Sequence, residues 1–113
     1  MGLGVVTDEV IAEMVERIVA EVQPERVYLF GSRARGEARE DSDVDLLVVE
    51  REDFGPERSR LREIQRISRA LYSFRIPTDI LLYSAGEYAE WKESRYHLVG
   101  HCEREGRLMY GRR

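Results

Sequence analysis

Apolar residues in the first part of the chain recur with a helical period: Ile11, Met14, Val15, Ile18 and Val22 fall on one face. Thr7 or Asp8 can cap that helix, and the restriction imposed by Pro24 should end it before residue 24. The pattern then changes. Arg26 to Phe30, rich in Val, Tyr and Phe, reads as a strand, and a polar, glycine-bearing loop follows from Gly31 to Ser42. Val44 to Val49 reads as a second strand, and its consecutive apolar residues suggest a central strand covered on both faces. After a break near Gly55 and Pro56, Leu61, Ile64, Ile67, Leu71 and Phe74 define a second helix whose first turn would suit Pro56. Thr78 to Tyr83 forms a third short strand beyond Pro77. Ser84 and Glu87 then make a capping box, which opens a last helix expected to run as far as Gly106. The resulting order is helix, strand, strand, helix, strand, helix. It predicts an α+β fold in which helices pack against a small mixed sheet.

Length and composition narrow this picture. A chain of 113 residues fits one domain, 1–113, with enough core to fold but little wall to enclose a bulky substrate. The 42% hydrophobic and 35% charged residues belong to a folded globular chain, and the longest aliphatic run, Leu46 to Val49, is far too short to cross a bilayer. No leader pattern opens the sequence, so a cytoplasmic protein is expected. The single cysteine, Cys102, cannot form an internal disulfide. With a net charge of −4, neither nucleic acid nor an anionic membrane is expected as a partner on bulk electrostatics, and any anionic ligand must be gripped locally.

One stretch offers such a grip. Gly31-Ser32-Arg33-Ala34-Arg35-Gly36 directly follows the first strand, and Asp43-Val44-Asp45 opens the second. Side chains two apart on a strand share a face, so Asp43 and Asp45 project together. Two carboxylates that close disfavour joint ionisation, a penalty that a divalent cation reverses. Oxygen ligands select a hard ion, and magnesium commonly combines one or two carboxylates with phosphate oxygens. The Gly31-Ser32 amides and the Ser32 hydroxyl could face a triphosphate, while Arg33 and Arg35 could clamp phosphate oxygens or pair with Glu37, Glu40 or Asp41. A third acid, Asp79, lies near the start of the third strand. If that strand neighbours the second, Asp79 reaches the same edge and completes a two-metal site.

Gly31-Ser32, then ten residues, then Asp43-x-Asp45 and a later strand acid at Asp79 resemble the signature of the DNA polymerase beta superfamily of nucleotidyltransferases. The chain looks most like the minimal (MNT) members of that superfamily, over about Val10 to Tyr110. The resemblance implies that Gly31 and Ser32 bind the nucleoside triphosphate, that Asp43 and Asp45 hold two Mg2+ ions, and that Asp79 binds the catalytic ion near an acceptor hydroxyl. It also implies AMP transfer from ATP to a tyrosine of a HEPN-type toxin, the chain serving as antitoxin in a homo- or hetero-oligomeric assembly. Two other readings are a non-catalytic toxin-binding module and a small-molecule nucleotidyltransferase of the antibiotic-modifying kind. Three converging acids disfavour the first, and the lack of an additional helical domain disfavours the second.

The last predicted helix carries further signals. His97 and His101, with Cys102, Glu93 and Glu105 nearby, have a spacing that could ligate zinc, although a plain helix surface is the favoured reading. Trp91, Tyr88 and Tyr96 read as core or interface rather than as a base-stacking platform. No lysine of a phosphate-binding P-loop follows Gly36, and no dinucleotide fingerprint is present.

Overall fold

The computed structural model describes residues 6–39 and 42–112. The first helix, α1 (Asp8–Val22), starts where Thr7 Oγ1 accepts a hydrogen bond from the Val10 N–H at 3.1 Å, and it ends at Gln23 in a left-handed conformation. Strands β1 (Arg26–Phe30) and β2 (Val44–Glu50) pair antiparallel, with Phe30 opposite Asp45. The second helix, α2 (Arg60–Leu71), runs into a 3-10 turn at Tyr72–Phe74, and β3 (Thr78–Ser84) then pairs parallel to β2.

Two short helices, α3 (Ala85–Trp91) and α4 (Leu98–Glu105), lead to a fourth strand, β4 (Arg107–Tyr110), which pairs antiparallel with β1. The sheet order is β3-β2-β1-β4. Mixed pairing and helical cover agree with the expected α+β class.

Alternation along the strands makes two cores. Val27, Leu29, Leu46, Val48 and Leu82 pack with Ile11, Met14, Val15 and Ile18 of α1 and with Ile67 and Leu71 of α2. Tyr28, Leu47 and Val49 point the other way and pack with Tyr88, Val99 and Cys102 beneath α3 and α4. From Leu46 to Val49 every side chain is fully buried, as the run of apolar residues predicts. Each is worth about 1.5 to 3 kcal/mol on burial. Among the described residues, no helix is long and apolar enough to cross a membrane.

Three expectations need correction. The second helix starts at Arg60, where Ser59 Oγ accepts the Arg62 N–H, so Pro56 lies before its first turn. The last helix is split. Ser94 Oγ accepts from the amides of Tyr96 and His97 and thereby offers the backbone an alternative to helix. The turn folds back so closely that a Cβ on Gly100 would stand 1.9 Å from the Ser94 carbonyl oxygen. Finally, four residues past Gly106 form β4, a strand too short to announce itself by period.

Candidate active site

The topology gathers the C-terminal end of β1 and the N-terminal ends of β2 and β3. Phe30 stands opposite Asp45, and Asp45 stands opposite Asp79, so both acids project from the sheet face that carries Leu47, Leu81 and Tyr83. Gly31 fits this junction for two reasons. Its φ is +76°, in the left-handed region that favours glycine, and a Cβ there would lie 2.3 Å from Asp45 Oδ2. Only a bare backbone passes that close to the carboxylate.

After Gly31 the chain makes a tight turn. The amides of Ala34 and Arg35 donate to the Gly31 carbonyl at 3.1 and 3.3 Å, and the Glu37 amide donates to the Ser32 carbonyl at 2.9 Å. The Ser32 and Arg33 amides thus stand at the open start of a helix-like turn, where N–H groups lack internal partners. Arg33 turns back to close the loop, donating from Nε and Nη2 to the Ser42 carbonyl at 3.2 and 2.6 Å and from Nη2 to that of Arg39 at 3.4 Å. Arg35 is exposed and pairs with Glu37 at 2.8 Å, within electrostatic reach of Asp45 and Glu105. Glu40 and Asp41 lie outside the described residues.

Burial pushes the Asp45 carboxyl up to about 6; hydrogen bonding and repulsion from Asp79 and repulsion from Asp43 add to this, and the Arg33 charge opposes it. Asp45 and Asp79 form the close pair. Asp43 is exposed and lies within electrostatic reach, outside that contact. Among the described residues, no three carboxylate, imidazole or thiol groups converge tightly enough to enclose one ion. The all-oxygen donor set and the crowded, half-buried Asp45 nevertheless fit a hard divalent cation that is also held by phosphate oxygens.

The histidines are engaged elsewhere. His97 Nδ1 accepts from the Val99 amide as the cap of α4, with its ring stacked on Trp91 at 4.5 Å, and His101 lies 3.6 Å from Glu105. Cys102 is buried. Tyr88 is core, stacked on Tyr28 at 5.5 Å, while Tyr96 is 95% exposed. The placement of Glu105 near Arg35 was not legible in the sequence, because it depends on the break between α3 and α4.

Strand ends bearing a Gly-Ser turn and paired acids define the class. A model of the nucleotidyltransferase domain matches residues 11–108, and the chain belongs to that family. A candidate protein adenylyltransferase of Methanocaldococcus jannaschii is 40% identical over 58 residues, which is 51% of this chain and 54% of that protein; the chain thus spans about half of that relative. A candidate nucleotidyltransferase from Sulfolobus solfataricus, solved by crystallography, superposes with a TM-score of 0.61 at 26% identity, covering 92% of this chain and 79% of the other. A toxin-antitoxin structure with AMP-PNP shares the fold at a TM-score of 0.52 and 20% identity, covering 90% and 74%. So does a Shewanella oneidensis complex of a tri-AMPylated HEPN toxin with its MNT antitoxin, at 0.51 and 16%, covering 94% and 74%.

Proposed function

We propose that this chain is a Mg2+-dependent adenylyltransferase that moves AMP from ATP onto a tyrosine hydroxyl of a partner protein, a HEPN-type toxin, and so acts as its antitoxin. The observation that carries this reading is the Asp45–Asp79 pair placed against Gly31 at the junction of three strand ends. The relative named for protein adenylylation and the fold shared with a complex holding an AMPylated toxin support a protein acceptor.

In this reading Gly31 and Ser32 receive the triphosphate on their amides and the Ser32 hydroxyl. Arg33 holds the loop, and Arg35 leaves Glu37 to pair with phosphate oxygens. Asp43, Asp45 and Asp79 would hold the ions together with the phosphates. Bound Mg2+ would neutralise the charge that develops on the phosphates. The acceptor oxygen bonds to the α-phosphorus, the bond from that phosphorus to the bridging oxygen of the β-phosphate breaks, and pyrophosphate leaves. The hydroxyl proton passes to Asp79 or to solvent. Most of the rate gain comes from alignment and charge neutralisation.

The test is incubation of the purified chain with its genomic neighbour, Mg2+ and labelled ATP. Label on a tyrosine of the neighbour, absent with Asp43→Asn, is expected. Label absent from every protein, with nucleotide binding intact, would move the acceptor to a small molecule. Tight partner binding without nucleotide binding would leave a contact-only antitoxin.

A further inference from the structure

The strand that carries Asp79 is the outer strand of the sheet, and its open side is not uniformly available. The Val44 amide donates to the Pro77 carbonyl at 3.0 Å, which sets the phase of the parallel ladder. Residues 79, 81 and 83 therefore direct their backbone groups at β2, and residues 78, 80 and 82 direct theirs outward. Arg60 closes the far end of this outward row. Its Nη1 donates to the Leu82 carbonyl at 2.7 Å while Glu87 fixes the guanidinium through two hydrogen bonds of 2.9 and 2.5 Å. Charged side chains commonly blunt sheet edges in this way. Among the described residues, no group of another element is bonded to the backbone of Thr78 or Ile80. The open part of the edge is thus the part beside Asp79.

A concave surface follows the same segment. A groove of about 610 Å3 is lined by Leu71, Tyr72, Arg75, Ile76, Pro77 and Ile80, among others, on the sheet face opposite the acids. Tyr72 on its rim is 80% exposed, and Arg75 forms no ion pair among the described residues. Side chains directly opposite one another on paired strands share a face. A strand added at this edge would therefore place its residue opposite Asp79 on the acid face. Its neighbours, opposite Thr78 and Ile80, would fall on the groove face.

We propose that the open edge at Thr78–Ile80 receives the acceptor protein as an added strand. The acceptor segment is an extended peptide whose hydroxyl-bearing residue lies across Asp79, with apolar residues on either side of it in the groove and an acidic residue at Arg75. Backbone hydrogen bonds supply affinity, and the alternating pockets supply selectivity, as in other cases of strand addition. The proposal rests on the nucleotidyltransferase reading, and it specifies a tail or loop rather than a helix as the acceptor.

The test uses the whole chain and an acetylated, amidated peptide, Glu-Gln-Val-Tyr-Val-Gln-Glu, which presents the same order in either strand direction and carries its glutamates three residues from the tyrosine, on the groove face with the valines. Mg·ATP binding is measured first, in the wild type and in each variant, and then labelling of the peptide. Ile80→Pro removes an outward N–H that does not belong to the ladder with β2, together with the Ile80 side chain in the groove, and Ile80→Ala, which trims the side chain and keeps the N–H, separates the two effects. Arg75→Glu and Tyr72→Ala alter the groove without touching the edge backbone. Labelled peptide is expected, with KM raised at least tenfold by Ile80→Pro and by Arg75→Glu and less by Ile80→Ala, and likewise raised when the valine amides, for an antiparallel strand, or the tyrosine amide, for a parallel one, are N-methylated, while Mg·ATP binding is unchanged. Equal labelling by wild type and variants, or no peptide labelling by a chain that binds Mg·ATP normally, would overturn the docking edge alone. Loss of Mg·ATP binding in the wild type would remove the nucleotidyltransferase reading and this inference with it.

Discussion

Gly31 is where the site depends most on one residue. Its positive φ costs any other residue about 1 to 2 kcal/mol. A methyl group there would also collide with the Asp45 carboxylate. Gly31→Ala should therefore fold with lowered stability and lose about a hundredfold or more in transfer rate, because the carboxylate must move. Thermal unfolding and steady-state transfer assays read the two effects separately. Asp45 makes a pH prediction. Its carboxyl is raised to about 6, so protons compete with a cation below that pH. Affinity for Mg·ATP should fall as pH drops from 7 to 5, measured by calorimetry. Without a cation the same shift acts oppositely on stability: the contribution is full below the ordinary Asp range and is lost as pH rises through about 6. At this scale the sequence was informative. Spacing brought out the approach of Gly31, Asp45 and Asp79 that the strand register shows, but not the engagement of Arg33 by the Ser42 and Arg39 carbonyls, since that depends on how the loop closes.

At the scale of elements, legibility followed the strength of the local period. The bounds of α1, β1, β2 and β3 matched their hydrophobic patterns within a residue or so. The region after Ser84 did not, because its helical period continues through residues that Ser94 diverts by hydrogen-bonding to two downstream amides. Gly100 is the tertiary partner of that turn, and its role is invisible without the fold. Gly100→Ala should force the 92–97 turn off α4, destabilising the chain by about 1 to 3 kcal/mol. Hydrogen exchange should show the loss concentrated in α4 and β4, with the amides of α1 and α2 protected as before. A uniform loss across all four would contradict this account.

For the whole molecule, the sheet separates two acidic sites at opposite ends of β2. Asp45 belongs to the candidate active site. Glu50 lies at the other end, 4% exposed, with Oε1 bonded to Arg58 at 2.6 Å. Among the described residues its Oε2 has no hydrogen-bond partner, and burial, followed by hydrogen bonding and repulsion from Glu63, raises its carboxyl well above the ordinary range, against the pull of Arg58. A raised carboxyl stabilises the fold below the ordinary Glu range and loses that contribution as pH climbs through the raised value. Thermal stability of the wild type should thus decline as pH rises from the ordinary Glu range to about 7 and level off above it, and Glu50→Gln should flatten that slope. An unchanged slope in the variant would place the proton elsewhere.

The most direct test of the central claim, that the junction of β1, β2 and β3 transfers a nucleotidyl group, is to compare ATP labelled on the α-phosphate with ATP labelled on the γ-phosphate in the presence of Mg2+ and the partner protein. The α-label should appear on the partner and the γ-label in released pyrophosphate, and Asp45→Asn should abolish both. Transfer of the γ-label to the partner, or α-label transfer that survives Asp45→Asn, would contradict the assignment.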